Sequence, residues 1–128
     1  MSLMRIWSSL LICCLPLTGC AVASVDGERM KLRSAEFATY VEAVFRRQNA
    51  VAADIALTLD SEDTDDATLI ALEEAELALL AACIGMNELA RAQRDGATIG
   101  GLAGLKRARQ APECERATNA AVESLGSE

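Results

Sequence analysis

Apolar residues return along this chain at helical spacing in three separate stretches. Between Ser34 and Leu59 they fall at Phe37, Val41, Val44, Val51 and Ile55, with Tyr40, Phe45 and Leu59 on the flanks. Steps of three and four, with Gln48 filling the gap between Val44 and Val51, predict an amphipathic helix carrying a near-heptad stripe. Glu42 and Arg46 add an i,i+4 pair in the favourable order. From about Ala67 to Arg94 the arc is wider: Leu69, Leu72, Leu79, Leu80, Cys83, Ile84 and Met86, extended by Ile70 and Leu77. Ala71, Ala75, Ala78, Ala81 and Ala82 fill much of what remains and favour helix. A helix apolar over most of its circumference packs against more than one neighbour, so this one is expected at the centre. The third stretch starts near Pro112, which suits a first helical position, and repeats through Cys114, Ala117 or Thr118, Ala121 and Leu125, with Val122 on the same face. Gly126 ends it.

The segments between these stretches are punctuation. Asp60 to Asp66 holds five acidic residues in seven, and Thr64 or Asp65 suits the N-cap of the next helix. Asp95-Gly96 is a helix stop, followed by glycines four apart at Gly96, Gly100 and Gly104. Glycine weakens an isolated helix, and Gly96 to Leu105 falls far short of the ~20 residues that cross a bilayer, so a loop or loosely helical connection, a short extra turn at most, is expected there. Residues 21–33 show no sustained apolar pattern and read as a tether, with a turn or cap at Asp26-Gly27. No strand pattern is evident. The fold predicted is all-α: a small three-helix bundle, up-down-up, with helices near 34–59, 67–94 and 112–125. The runner-up is a long two-helix hairpin with the last helix stapled across it.

The N-terminus is patterned differently. Arg5 is followed by an uncharged run, Ile6 to Leu17, whose twelve residues are too few for a stable span and match the core of a signal peptide. The run closes on Leu17-Thr18-Gly19-Cys20. This resembles the lipobox of bacterial lipoproteins: aliphatic, small, Gly or Ala, then Cys. The resemblance implies lipidation at Cys20, removal of residues 1–19, and a domain order of signal peptide (1–19), lipidated Cys and tether (20–33) and helical domain (34–128). Two or three acyl chains anchor a protein stably where one does not. Ala21 follows the Cys, and in Gram-negative lipoproteins Asp there favours inner-membrane retention. The resemblance therefore implies the outer membrane, periplasmic face, if the source is Gram-negative.

Charge and cysteine count then narrow the function. The chain has 19 acidic and 12 basic side chains, a formal net charge of −7, and no histidine. Loss of Arg5 with the leader leaves 11 basic and 19 acidic side chains, a net −8. That charge argues against a nucleic-acid footprint. Without histidine, imidazole-based catalytic dyads and His-ligated metal sites are excluded. Of five cysteines, Cys20 is the expected anchor, and Cys13 and Cys14 leave with the signal peptide. Cys83 and Cys114 remain, both on apolar stripes, and in an oxidising compartment such a pair reads as a disulfide. A redox or metal role has no C-x-x-C spacing and no third soft ligand to support it.

Candidate chemistry is sparse. The acidic loop lacks the Gly at position six and the Glu at position twelve of an EF-hand. Glu76 and Asn87 fall near the apolar arc of the second helix, where a buried carboxylate needs a partner such as Arg46 or Arg47. Phe37, Tyr40 and Phe45 cluster within nine residues, as the bulky end of a core or as a partner patch. Lys106, Arg107 and Arg109 form a small basic cluster. No nucleophile, base and oxyanion set is found. The expectation is a non-enzymatic, lipid-anchored envelope protein acting as an interaction, scaffold or assembly module. It engages the membrane through Cys20 and a protein partner, with no cofactor, metal, nucleic acid or small-molecule substrate. The alternative is an inhibitor or immunity-type protein, its acidic loop meeting a basic enzyme or toxin.

Overall fold

The computed structural model describes residues 21–97 and 100–126. Three long helices pack together around one core, up-down-up: α1 (Ala35–Leu59), α2 (Asp66–Arg94) and α4 (Ala111–Leu125). A short α3 (Gly101–Ala108) precedes α4 and lies against α2.

Each long helix starts and stops where its local chemistry dictates. Ser34 caps α1, its Oγ accepting the Phe37 N–H at 3.1 Å. Steps of four and three then carry Phe37, Val41, Val44, Gln48, Val51 and Ile55 to the interior. Asp65 caps α2, its carboxylate accepting the N–H groups of Ala67 and Thr68. Beyond Arg94 the chain leaves α2 at Gly96, whose φ of +67° is costly for any residue with a Cβ. The Ala97 N–H returns to the Ala92 carbonyl and the Gly96 N–H to that of Gln93, together satisfying end carbonyls of the helix. Pro112 sits in the first turn of α4.

The core is assembled from all three long helices. Phe37, Val41 and Ile55 of α1 meet Leu72, Leu79 and Met86 of α2 and Cys114, Thr118 and Ala121 of α4 in a single buried cluster. The aromatic cluster of α1 belongs to this core: Phe37 is fully buried, and Tyr40 and Phe45 pack on it half-buried.

One element departs from the expectation, and a second is more regular than expected. The expected tether is a two-stranded antiparallel hairpin, β1 (Ala21–Ala23) with β2 (Arg29–Lys31), in which Val22 faces Met30. Both side chains are buried, and β2 packs on α1. Three-residue strands hold too few positions for an alternation to stand out, so the pattern was invisible beside the long helices. The expected turn is present, with Gly27 at φ +84° and its N–H donated to the Ser24 carbonyl. The glycine-rich segment, expected as a loop or extra turn, forms the eight-residue α3. Gly104 and Ala108 are buried there, so small side chains let α3 approach α2 closely. Across this contact the Gln110 side-chain amide fills the space a Cβ at Gly85 would need.

Candidate functional site

Cys20 and the rest of the expected lipobox, Leu17, Thr18 and Gly19, lie outside the described residues, as do Cys13 and Cys14. Among the described residues, no helix is long and apolar enough to cross a membrane.

Cys83 of α2 and Cys114 of α4 are joined in a disulfide, with Cα atoms 4.5 Å apart. Both are fully buried, and Thr118 Oγ donates to the Cys114 carbonyl at 2.8 Å one turn on. The bridge locks the last helix to the central one inside the core.

The acidic loop is a solvated connector. Asp60, Glu62, Asp63, Asp65 and Asp66 are all exposed. Thr64 Oγ donates to the Thr58 carbonyl, tying the loop to the end of α1. Asp65 also accepts the Thr68 hydroxyl at 2.7 Å. That hydroxyl, with the backbone donors of Thr68 and Ala67, holds the Asp65 carboxyl below the usual aspartate range. No cluster of three or more Asp, Glu or Cys among the described residues is placed to hold a metal ion.

The other charged candidates are distributed. Arg107 pairs with Glu88 of α2 at 2.7 Å, so the basic cluster is partly spent on fixing α3. Arg46 pairs within its own helix with Glu42, as the i,i+4 order predicts, rather than with Glu76. Arg94 sits over the Phe45 ring, 5.9 Å from its centroid. At the hairpin end, Tyr40 Oη donates to Glu115 Oε2 at 2.7 Å, and the Val25 N–H reaches the same oxygen at 3.4 Å. A hollow of about 140 Å³ beside this pair, lined by Ala43, Arg47 and Thr118 among others, is small for a ligand site, where ~300 Å³ or more is usual.

The outer face of α2 is the feature that stands out. Contacts with α1, α4 and α3 cover the side carrying Leu72, Leu79, Cys83 and Met86. They leave Ile70, Leu77, Leu80 and Ile84 at 59%, 68%, 50% and 62% exposure. At helical spacing these four fall on one stripe, with Ala81 beside them. The sequence had placed all four in one broad core arc; the bundle has too few helices to cover that arc. The signal was legible in hindsight as a surplus: α2 holds more large apolar residues than three neighbours can bury. A contiguous bare stripe of this kind marks a contact surface more often than scattered exposed leucines do.

The chain matches no family model, and no curated protein or solved structure is significantly similar to it.

Proposed function

We propose that this is a lipid-anchored envelope protein that works by contact: a non-enzymatic interaction, scaffold or assembly module held on the periplasmic side of the membrane. The observation that carries the contact role is the uncovered stripe Ile70–Leu77–Leu80–Ile84 on a disulfide-stapled helix. The anchor rests on the lipobox Leu17-Thr18-Gly19-Cys20, and outer-membrane placement on Ala21. Metabolic labelling with a clickable fatty acid tests the anchor. Cys20→Ala abolishes label and detergent-phase partitioning; unchanged labelling overturns the assignment. In a Gram-negative host, Ala21→Asp moves the protein from the outer to the inner membrane. Wild-type protein already at the inner membrane defeats the sorting argument.

A second reading draws on the exposed acidic loop. Its five carboxylates at the α1–α2 turn suit a basic enzyme or toxin held by an inhibitor or immunity-type protein. Cross-linking in the intact envelope followed by affinity isolation separates the two. Complexes lost on Leu77→Lys support the scaffold. A single tight enzyme partner lost on neutralising Asp60, Glu62 and Asp63 supports the inhibitor.

A further inference from the structure

The stripe on α2 has a symmetry of its own. Ile70, Leu77 and Ile84 stand seven residues apart, and Leu80 falls three after Leu77 and four before Ile84. This is the spacing of a coiled-coil seam, in which a second helix with the same repeat supplies the complementary ridge. The order Ile, Leu, Ile reads the same from either end. A twofold axis through Leu77 therefore places Leu77 against Leu77 and each Ile70 against the other chain's Ile84, an isologous contact of one surface with itself. From the reading of this stripe as a contact surface, we infer that its occupant is a second copy of this chain, with the two α2 helices antiparallel.

Charge selects the antiparallel sense. α2 has a strongly acidic entrance, Asp60 to Asp66, and a basic exit that carries Arg91 and Arg94. Lys106 and Arg107 lie beside that exit on α3, where Arg107 pairs with Glu88. All of the loop carboxylates, Arg91, Arg94 and Lys106 are exposed. Reversing one helix about Leu77 sets Asp63 opposite the other chain's Arg91 and Asp60 opposite its Arg94; Asp66 falls opposite Glu88, whose charge Arg107 offsets. A parallel pair sets the two acidic loops side by side and repels. Glu73, the polar position within the stripe, points the same way. In a parallel pair the two Glu73 side chains face each other. In the antiparallel pair Glu73 faces the small Ala81 and Leu80 faces the methylene stem of Glu74, and the two Glu73 carboxylates are offset by ~12 Å along the axis, beyond the ~8 Å screening length at physiological salt. The acidic residues in and beside the stripe, Asp66, Glu73, Glu74 and Glu88, are also poorly suited to an anionic lipid surface.

The test is site-directed cross-linking of the purified full chain in detergent, with wild-type protein carrying its native cysteines as background. Leu77→Cys links to itself through a short bis-maleimide. Ile70→Cys and Ile84→Cys link to each other when mixed, and neither links to itself. Sedimentation of the full chain shows a reversible dimer, and Leu77→Lys, which sets two ammonium groups on the twofold axis, weakens it by about 30-fold or more. All four stripe positions are exposed, so the variants keep the helical circular dichroism of the wild type. Self-linking of Ile70→Cys overturns the antiparallel order. A monomer at tens of micromolar overturns the inference altogether. If the same monomeric chain, expressed in cells, links through Leu77→Cys to a different protein, the stripe remains a contact surface and only the second copy is refuted. No link of either kind defeats both readings.

Discussion

Tyr40 and Glu115 join α1 to α4 through one short hydrogen bond, phenol to carboxylate, at 2.7 Å. Burial and then the Glu115 carboxylate push the Tyr40 phenol well above its ordinary value. In the folded state the proton therefore stays on Tyr40 where the unfolded chain has begun to release it. Stability from this group is fully present below about pH 10, the unfolded value, and declines as pH rises beyond it. Tyr40 is the sole tyrosine of the chain, so phenolate absorbance reads it without ambiguity. Folded protein is expected to show no phenolate through the range in which urea-unfolded protein titrates. Tyr40→Phe removes the donor, leaves Glu115 half-buried, and lowers stability by about 1–2 kcal/mol. A normal titration curve in the folded protein contradicts the contact.

The Cys83–Cys114 bridge closes a span of 31 residues. By chain entropy such a loop contributes ~3–4 kcal/mol. The double substitution Cys83→Ser, Cys114→Ser is expected to lower Tm by roughly 12 °C or more, since ~1 kcal/mol moves a domain of this size by ~4–8 °C. Calorimetry measures it. Thiol titration of denatured, unreduced residues 21–128 after periplasmic expression is expected to find neither cysteine reactive.

Gln48 occupies a core position of α1, and its Oε1 is buried without a hydrogen-bond partner among the described residues. A desolvated, unpaired carbonyl costs ~1–3 kcal/mol. Gln48→Met keeps the length of the side chain and removes the polar group, so Tm is expected to rise by about 4 °C or more. Gln48→Glu places an unpaired carboxylate in the same space and is expected to lower it. A drop in Tm for Gln48→Met indicates that the amide is paired after all.

Asp65 holds the first turn of α2 in its ionised form, and its carboxyl titrates below the usual range. The sign follows from a depressed folded-state value. The cap stabilises above the unfolded aspartate value near pH 4 and fades as pH falls through the lower folded-state value. Asp65→Asn retains a capping acceptor and is expected to flatten the acid limb of the Tm-against-pH curve between pH 5 and 2. Asp65→Ala is expected to lower Tm at neutral pH as well. An Asp65→Asn curve as steep as wild type places the acid sensitivity elsewhere.

The sequence by itself determined the three long helices, a cap for α2 at Thr64 or Asp65, the stop at Asp95-Gly96 and the choice of Cys83 and Cys114 as partners. These follow from local rules: helical periodicity, a capping side chain, a positive-φ glycine, and an even pair of cysteines on apolar stripes. The run Leu17-Thr18-Gly19-Cys20, on which the proposed anchor rests, is a short linear pattern and is read in the same way. That Ser34 caps α1 and that Asp65 rather than Thr64 caps α2 came from the structure. Tertiary structure decided the rest. Val22 and Met30 became core only because two three-residue strands pair across Gly27 and dock on α1. Gly104 and Gly85 found a use only where α3 and Gln110 press close to α2. Above all, periodicity showed that α2 is apolar nearly all round without showing which part of it would be covered. That depends on how many neighbours a helix gains. With α1, α4 and α3 on one side, Leu72, Leu79, Cys83 and Met86 went to the core, and Ile70, Leu77, Leu80 and Ile84 stayed in water.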